Sequence, residues 1–310
     1  MTSDIRLSLR TLRAFATVVE QGSINRAASL LNIAPSAIAS AVGQVEAEFG
    51  TSLLIRTRSK GITATAEGRA MAVRFRRFLE EYQDILSEGR DIARSFGGTL
   101  RIGYYAPVAP AFLPQLLQPI MAENPGLTLE LQAHDNSSVQ TALLEGRVDL
   151  ILFTGQDLRR GIATQDLLTL APYVLVPAEH PIAAMDRCSI SCLAAEPLVQ
   201  LDRPLARPYV DGLFLSAGID PKIVARSDST EMVRSLVGSG IGVAVLNMRP
   251  CTMTTYGGDD LTAVPLEGDA ATLRLVSGYV TGQPRLLVRH FLERLQDWSK
   301  TETAQALCVT

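Results

Sequence analysis

The chain has 310 residues, of which 47% are hydrophobic and 20% charged, with a formal net charge of −3. That is enough apolar material for more than one core, which excludes a disordered chain and predicts two or three folded units. No run of eighteen apolar residues occurs and the opening MTSDIRLSLR has no apolar segment, so neither a membrane span nor a secretory leader is read, and a cytoplasmic protein is expected.

The modest net charge hides an asymmetry. Residues 1–78 carry 11 Lys and Arg against 5 acids, which is +6 and leaves −9 for the rest. A basic head on an acidic body suits a nucleic-acid-binding unit joined to a separate module. Leu9, Leu12, Phe15, Ala16 and Val19 predict a first helix over 5–18. The stretch Gly22–Gly50 then reads as two short helices around a tight turn at Asn32-Ile33-Ala34. Ser23 is an N-cap residue type, and Pro35 suits the first turn of the second helix. Ile38, Val42, Val45 and Phe49 form that helix's apolar face, and Gly50 is a plausible stop. The opposite face carries Ser36, Ala39, Ser40 and Gly43, all small enough to bring the backbone close to another surface. A helix-turn-helix needs that where its second helix enters the DNA major groove. An αα-hairpin without a DNA role has the same helical pattern.

Residues Ser52–Thr65 read as two strands joined at Ser59-Lys60-Gly61, with Arg56, Arg58 and Lys60 along the hairpin. Three cations beside a recognition helix make a wing suited to phosphate. From about Leu9 to Gly68 the chain resembles the winged helix-turn-helix of LysR-type transcriptional regulators. The matching positions are Phe15, Gly22-Ser23, Ala27-Ala28, Pro35-Ser36, Val45-Glu46, Gly50, Leu53-Leu54-Ile55-Arg56 and Thr65-Ala66-Glu67-Gly68. The resemblance implies DNA contacts from Ser23, Arg26, Pro35, Ser36, Ser40, Gln44, Arg56, Arg58 and Lys60. Two departures are Ala34, where a hydroxyl cap is usual, and Ala39-Ser40, where a polar-basic pair is common; both bear on which bases are read.

After the wing, Met71, Phe75, Phe78, Tyr82, Ile85, Gly89, Ile92 and Phe96 recur by alternating steps of four and three. A sustained 3.5-residue period favours pairing between two helices. The resemblance makes this the dimerising linker helix, with Met71, Phe75, Phe78, Tyr82 and Ile85 in the seam; packing on its own domain is the alternative. Phe96-Gly97-Gly98-Thr99 marks a domain boundary.

Beyond it, strands and helices alternate. Strands are predicted at Leu100–Tyr104, Leu127–Ala133, Val148–Phe153, Tyr173–Val176, Leu198–Gln200, Ile223–Ala225, Val243–Leu246 and Thr272–Val280, with helices at Ala111–Glu123, Ser138–Glu145, Pro208–Ala217, Thr230–Gly238 and Arg285–Ser299. The first βαβαβ run predicts a parallel sheet. The whole resembles the family's effector domain, two α/β lobes like a periplasmic binding protein, with crossovers near Thr169–Pro172 and Arg274–Val276. Asn247 departs from it, standing where the family often has Pro after a strand. The expected division is therefore a winged helix-turn-helix over 8–65, a linker helix over 66–96 and an effector domain over 97–302. Lobe I would take about 99–170 and 276–302, and lobe II about 171–275.

In open α/β sheets ligands bind beyond the carboxyl ends of the strands. The candidate effector residues at those ends are Tyr105, Ala106, His134, Thr154, Arg203, Ser227 and Ser229. Helix N-termini near Pro110 and Thr230 favour an anion and the tyrosines a planar body, so an organic acid or aromatic metabolite is expected. The usual Ser or Thr of the first loop is absent from Tyr104-Tyr105-Ala106-Pro107-Val108. Catalytic signatures are not found: Gly238-Ser239-Gly240-Ile241-Gly242 precedes a strand instead of opening a helix, and Asp149 and Asp228 lack an acid/base partner. Cys188-x-x-x-Cys192 has neither zinc spacing nor a second pair, Cys251 and Cys308 stand alone, and His134, His180 and His290 are isolated. No metal or cofactor is expected. The reading is a transcription factor binding an imperfect inverted repeat as a dimer or tetramer, controlled by a small ligand, with RNA polymerase as a further partner. A solute-binding module without gene control is the alternative.

Overall fold

The computed structural model describes residues 7–57, 61–90, 98–268, 272–282 and 284–309. It divides into two compact units, one essentially the first 98 residues and the other the remainder apart from 145–147.

The first unit opens with helix α1 (Leu9–Gln21), later than the 5–18 expected, because Ser8 caps it by accepting from the Thr11 amide at 3.1 Å. Ser23 caps α2 (Ile24–Leu31) and Pro35 opens α3 (Pro35–Phe49), with a bend of 110° between the two helices. Ile38, Val42 and Val45 are fully buried against Phe15, Val18 and Ala27. Phe49, expected in that core, is 45% exposed and instead tilts its ring onto Phe75, centroids 6.2 Å apart. Gly50 ends α3 in the left-handed region at φ 63°. Strands β1 (Leu54–Thr57) and β2 (Gly61–Ala64) pair antiparallel, and the Ile62 amide donates to the Gly22 carbonyl, tying the hairpin to the end of α1.

Helix α4 runs over Ala66–Arg90. Thr65 accepts from the Gly68 amide at 3.0 Å and starts it. A Cβ on Gly68 would stand 2.1 Å from the Leu53 carbonyl oxygen, so only glycine lets α4 leave the hairpin here. The first turns of the predicted seam are spent inside this unit. Phe75 is buried and meets Phe15 edge-on at 5.7 Å, and Met71 packs against the same core. Phe78 is left 54% exposed and Tyr82 half-buried. Ile85 lies on α4, while Ile92 and Phe96 fall outside the described residues.

The second unit runs β3 (Gly98–Tyr105), α5 (Leu113–Glu123), β4 (Leu127–His134), α6 (Asn136–Leu144), β5 (Leu150–Thr154), β6 (Ile162–Leu170), β7 (Tyr173–Pro177), β8 (Pro197–Leu201), α7 (Ala206–Ser216), β9 (Lys222–Ser227), α8 (Thr230–Gly238), β10 (Ala244–Leu246), β11 (Leu261–Pro265), β12 (Leu273–Val280), α9 (Leu286–Ser299) and α10 (Glu302–Gln305). Lobe I is one sheet in the order β4-β3-β5-β12-β6. The expected parallel sheet is only part of it. Strands β3 and β5 are parallel, but β12 inserts antiparallel to both β5 and β6. The run Ile162–Leu170, not predicted as a strand, is the outer partner of β12 because residues 163–166 alternate between half-buried and exposed, which suits an edge. In the same lobe the Asp149 side chain, 6% exposed, lies between Arg101 and Arg285, and Asp149 exchanges backbone and side-chain bonds with Arg101 at 2.8 Å. It is a structural clamp.

Lobe II joins β9-β8, which are parallel, to β10-β7-β11, which are antiparallel. The link is reciprocal: the Val199 amide donates to the Val243 carbonyl and the Val243 amide to the Pro197 carbonyl, each at 2.8 Å. Gly242 permits it, since a Cβ there would approach the Pro197 oxygen to 2.3 Å. Strand β11, also not predicted, covers β7 on the side away from β10.

Candidate DNA interface and ligand site

On the head, the exposed face of α3 carries Pro35, Ser36, Ala37, Ser40, Gly43 and Gln44. Ser23 is engaged as a cap, its Oγ accepting from the Arg26 amide at 3.3 Å, and Arg26 itself is exposed. Gln44 accepts a bond from the Thr11 hydroxyl at 3.3 Å, which orients its amide from the α1 side. Ala34 makes no side-chain cap, in line with its departure from the family pattern. Arg56 sits on β1 opposite Ile62. Arg58 and Lys60 fall outside the described residues. Behind this face, the Glu46 carboxylate accepts from the amides of both Leu53 and Leu54, at 2.8 and 3.0 Å. That pair of bonds fixes the start of β1, and hence the hairpin, relative to α3. A surface of small side chains on a helix, with a hairpin locked beside it, suits close approach to a groove flanked by phosphates.

In the second unit the strand ends gather the expected residues with unequal roles. Tyr105 ends β3 and is 2% exposed. Burial pushes its phenol up to about 12, a rise opposed by the Arg203 guanidinium and aided by the Asp135 carboxylate. Tyr105 belongs to lobe I and Arg203 to lobe II, and the charge of the guanidinium acts on the phenol from the other lobe. Arg203 donates through Nε to the Asp228 carbonyl at 2.7 Å, which holds the loop after β8 against the start of α8. Ala106 donates its amide to the His134 carbonyl, closing the β3 and β4 ends on each other. His134 lies within 3.4 Å of the Ser138 hydroxyl through Nδ1.

Three expected residues are committed to the protein itself. The Thr154 amide and hydroxyl both donate to the buried Asn136 Oδ1, at 2.9 and 2.8 Å. Ser227 accepts from the Ser229 amide, and Ser229 caps α8 by accepting from Met232. Their hydroxyl oxygens shape the loops.

Sequence reasoning misses Asp135, Asn136 and Gln200. Asp135 caps α6, accepting from the Ser137 and Ser138 amides at 2.9 and 2.7 Å. Partial burial resists its ionisation, but the Ser138 and Ser137 bonds prevail, with help from His134, and hold its carboxyl below the usual range. The run Asp135-Asn136-Ser137-Ser138 is the available signal, a cluster of cap-forming residues before an apolar helix. Gln200 is 2% exposed and links Asp211 (2.6 Å) to Arg226 (3.2 Å). Among the described residues no group of three His, Cys, Asp or Glu is placed to hold a metal ion.

A winged helix-turn-helix followed by a two-lobed α/β domain defines a DNA-binding regulator with its own ligand module. Comparison with known families agrees. Residues 9–69 match the bacterial regulatory helix-turn-helix of the lysR family, and residues 93–300 match the LysR substrate binding domain. The chain belongs to the LysR family of transcriptional regulators. It is 28% identical over 264 residues to the regulator TtuA of Agrobacterium vitis, covering 84% of this chain and 86% of that one. It is 26% identical to AlsR of Bacillus subtilis (strain 168), over 97% and 99% of the two chains. Among solved structures, HinK, a LysR family regulator from Pseudomonas aeruginosa, is 29% identical with a TM-score of 0.62, covering 94% of this chain and 98% of that one. A full-length OxyR variant from Pseudomonas aeruginosa shares the fold, at 22% identity and a TM-score of 0.74 over 96% and 99%. Among the described residues no single helix is long and apolar enough to cross a membrane.

Proposed function

We propose that this regulator is governed by a small anionic or aromatic metabolite bound where the two lobes meet. The observation that supports the reading is the placing of buried Tyr105 at the carboxyl end of β3 in lobe I and of Arg203 just beyond the carboxyl end of β8 in lobe II. A guanidinium can grip a carboxylate and a neutral phenol can donate to it, while the ring offers an apolar wall. Tyr105, Ala106, His134 and Arg203 are the contact residues in this reading, and Thr154, Ser227 and Ser229 act by shaping the loops. Ligand binding shifts regulation only through a difference in affinity for two arrangements of the protein.

In the same reading the chain divides into a head at 8–65, a linker at 66–96 and an effector domain at 97–302. The head reads an imperfect inverted repeat through Ser36, Ser40 and Gln44, while Arg26, Arg56, Arg58 and Lys60 hold phosphate. Two linkers pair through Phe78, Tyr82 and Ile85. Contacts between effector domains extend the dimer to a tetramer, and the protein works in the cytoplasm, where it meets RNA polymerase.

A thermal-shift screen of carboxylates and aromatic metabolites tests the ligand reading. Micromolar affinity corresponds to about 8 kcal/mol. A hundredfold excess over the dissociation constant then stabilises the domain by about 2.7 kcal/mol. Arg203→Ala is expected to abolish the shift given by a carboxylate. A shift untouched by both Arg203→Ala and Tyr105→Ala moves the site elsewhere. A gel shift with the DNA flanking its own gene tests the regulatory reading.

A further inference from the structure

The chain passes between the lobes of the second unit more often than its sheets require. It leaves lobe I at the end of β6, Leu170, and enters lobe II at Tyr173. It returns at β12 and finishes lobe I with α9, whose Trp298 stacks on Phe112 at 4.5 Å. It then goes back. Thr301 caps α10, Ala304 and Leu307 are buried, and Val309 is packed in the lobe II core with Tyr173, Val199 and Leu246. The family match ends at residue 300, so this last passage lies outside it.

Three consecutive residues after β10 receive these passages. Asn247 donates through Nδ2 to the Leu170 carbonyl at 3.4 Å and to the Tyr209 hydroxyl on α7 at 3.1 Å. The Met248 carbonyl accepts from the buried Tyr173 hydroxyl at 2.9 Å. Arg249 donates its amide to the Leu307 carbonyl and its Nη2 to the Ala306 carbonyl, both at 3.0 Å. One short segment of lobe II thus grips the outgoing crossover on one side and the C-terminal tail on the other. The sequence contributes a side-chain donor at 247. An asparagine there can reach a strand on the other side of the crossing; a proline ring has no such donor.

We propose that Asn247–Arg249 is a latch, and the tail through Val309 a third tether, that together hold the two lobes at one relative angle. Two crossover strands alone form a hinge, because rotation about them breaks few contacts. A third passage, anchored by a buried valine, converts free rotation into motion against a defined resistance. This inference stands whether or not the ligand reading holds.

Hydrogen exchange on the full-length chain tests it. Truncation after Lys300, Asn247→Asp and Arg249→Ala each remove part of the latch. Asn247→Asp keeps the shape but sets a carboxylate against the Leu170 carbonyl. Arg249→Ala removes only an exposed side-chain bond, so that variant folds even if the truncation does not. The expected result is faster exchange in peptides spanning 167–174, roughly tenfold for the truncation and less for the single variants. Exchange in β5 and β8, inside each lobe, should stay as in the parent. Unchanged exchange at 167–174 in both single variants overturns the latch. So does faster exchange spread through lobe II with no preference for the crossing, which would make the tail a plug in the core.

Discussion

Glu46 shows how one residue carries more than its place in a motif suggests. It looks like half of a sequence signature, yet its oxygen satisfies two consecutive amides at the start of the hairpin. Glu46→Ala leaves both donors without that acceptor and is expected to cost about 2 kcal/mol of head stability, measured by chemical denaturation, with DNA affinity falling in step. Asp135 provides a pH signature. Its carboxyl is held below the usual range in the folded state, so its contribution is present above the unfolded value and fades as pH falls through the folded one. Asp135→Asn should flatten the acid limb of the stability profile, and Asp135→Ala should cost about 1 kcal/mol at neutral pH through removal of the cap. Tyr105 works in the other direction. Its phenol is raised to about 12 from 10.0, so the stability it lends is intact below 10.0 and disappears between those values as pH rises. Ultraviolet titration of Tyr105→Phe should lack one late-ionising phenol relative to the parent. The candidate ligand site is half legible at this scale. Strand ends can be placed from periodicity, and Tyr105 stands at one and Arg203 two residues past another. Whether a hydroxyl faces a ligand or its own backbone depends on neighbours such as Asn136, and no spacing rule encodes that for Thr154.

At the scale of elements, the head is the most legible part because each of its turns carries a residue with a local job. Ser23 caps, Pro35 opens a helix and Gly68 admits a carbonyl, and these jobs are mostly done within a few residues in sequence. The linker is less so. A 3.5-residue period says that a helix buries one stripe but not against what, and the Phe15–Phe75 contact spends the first turns inside the head. What remains outward is Phe78, and that locates a prediction. Phe78→Asp places a charge on a side chain already 54% exposed, so the fold should tolerate it. If Phe78 lies in a dimer seam, the same charge must be desolvated on pairing, at a cost of several kcal/mol. Sedimentation should then show dissociation with the effector domain still folded; an unchanged oligomer would falsify the seam. The strands β6 and β11 escape sequence reasoning for a different reason. One has an alternating pattern and the other is only five residues long, so neither offers a sustained apolar run.

For the molecule as a whole, the two units predict separable failures. Wing variants Arg58→Ala or Lys60→Ala should weaken binding to all DNA alike and lower the salt slope by about one unit for each phosphate no longer neutralised. They should leave a ligand-induced thermal shift of the effector domain untouched. The sheet of lobe I has one more implication, which concerns time. Its middle is closed by β12, residues 273–280, which pairs with β5 and β6 on either side. During synthesis those two strands emerge more than a hundred residues before their shared partner. All of lobe II between β7 and β11 is made in the interval and has nearly all its pairings to hand. Lobe II should therefore acquire protease resistance on the ribosome before lobe I, while β5 and β6 wait without their shared partner. Long-range closure of this kind is slow, and the waiting edges are open to other chains. The sheet of lobe I then stays open at its centre until one late strand has arrived.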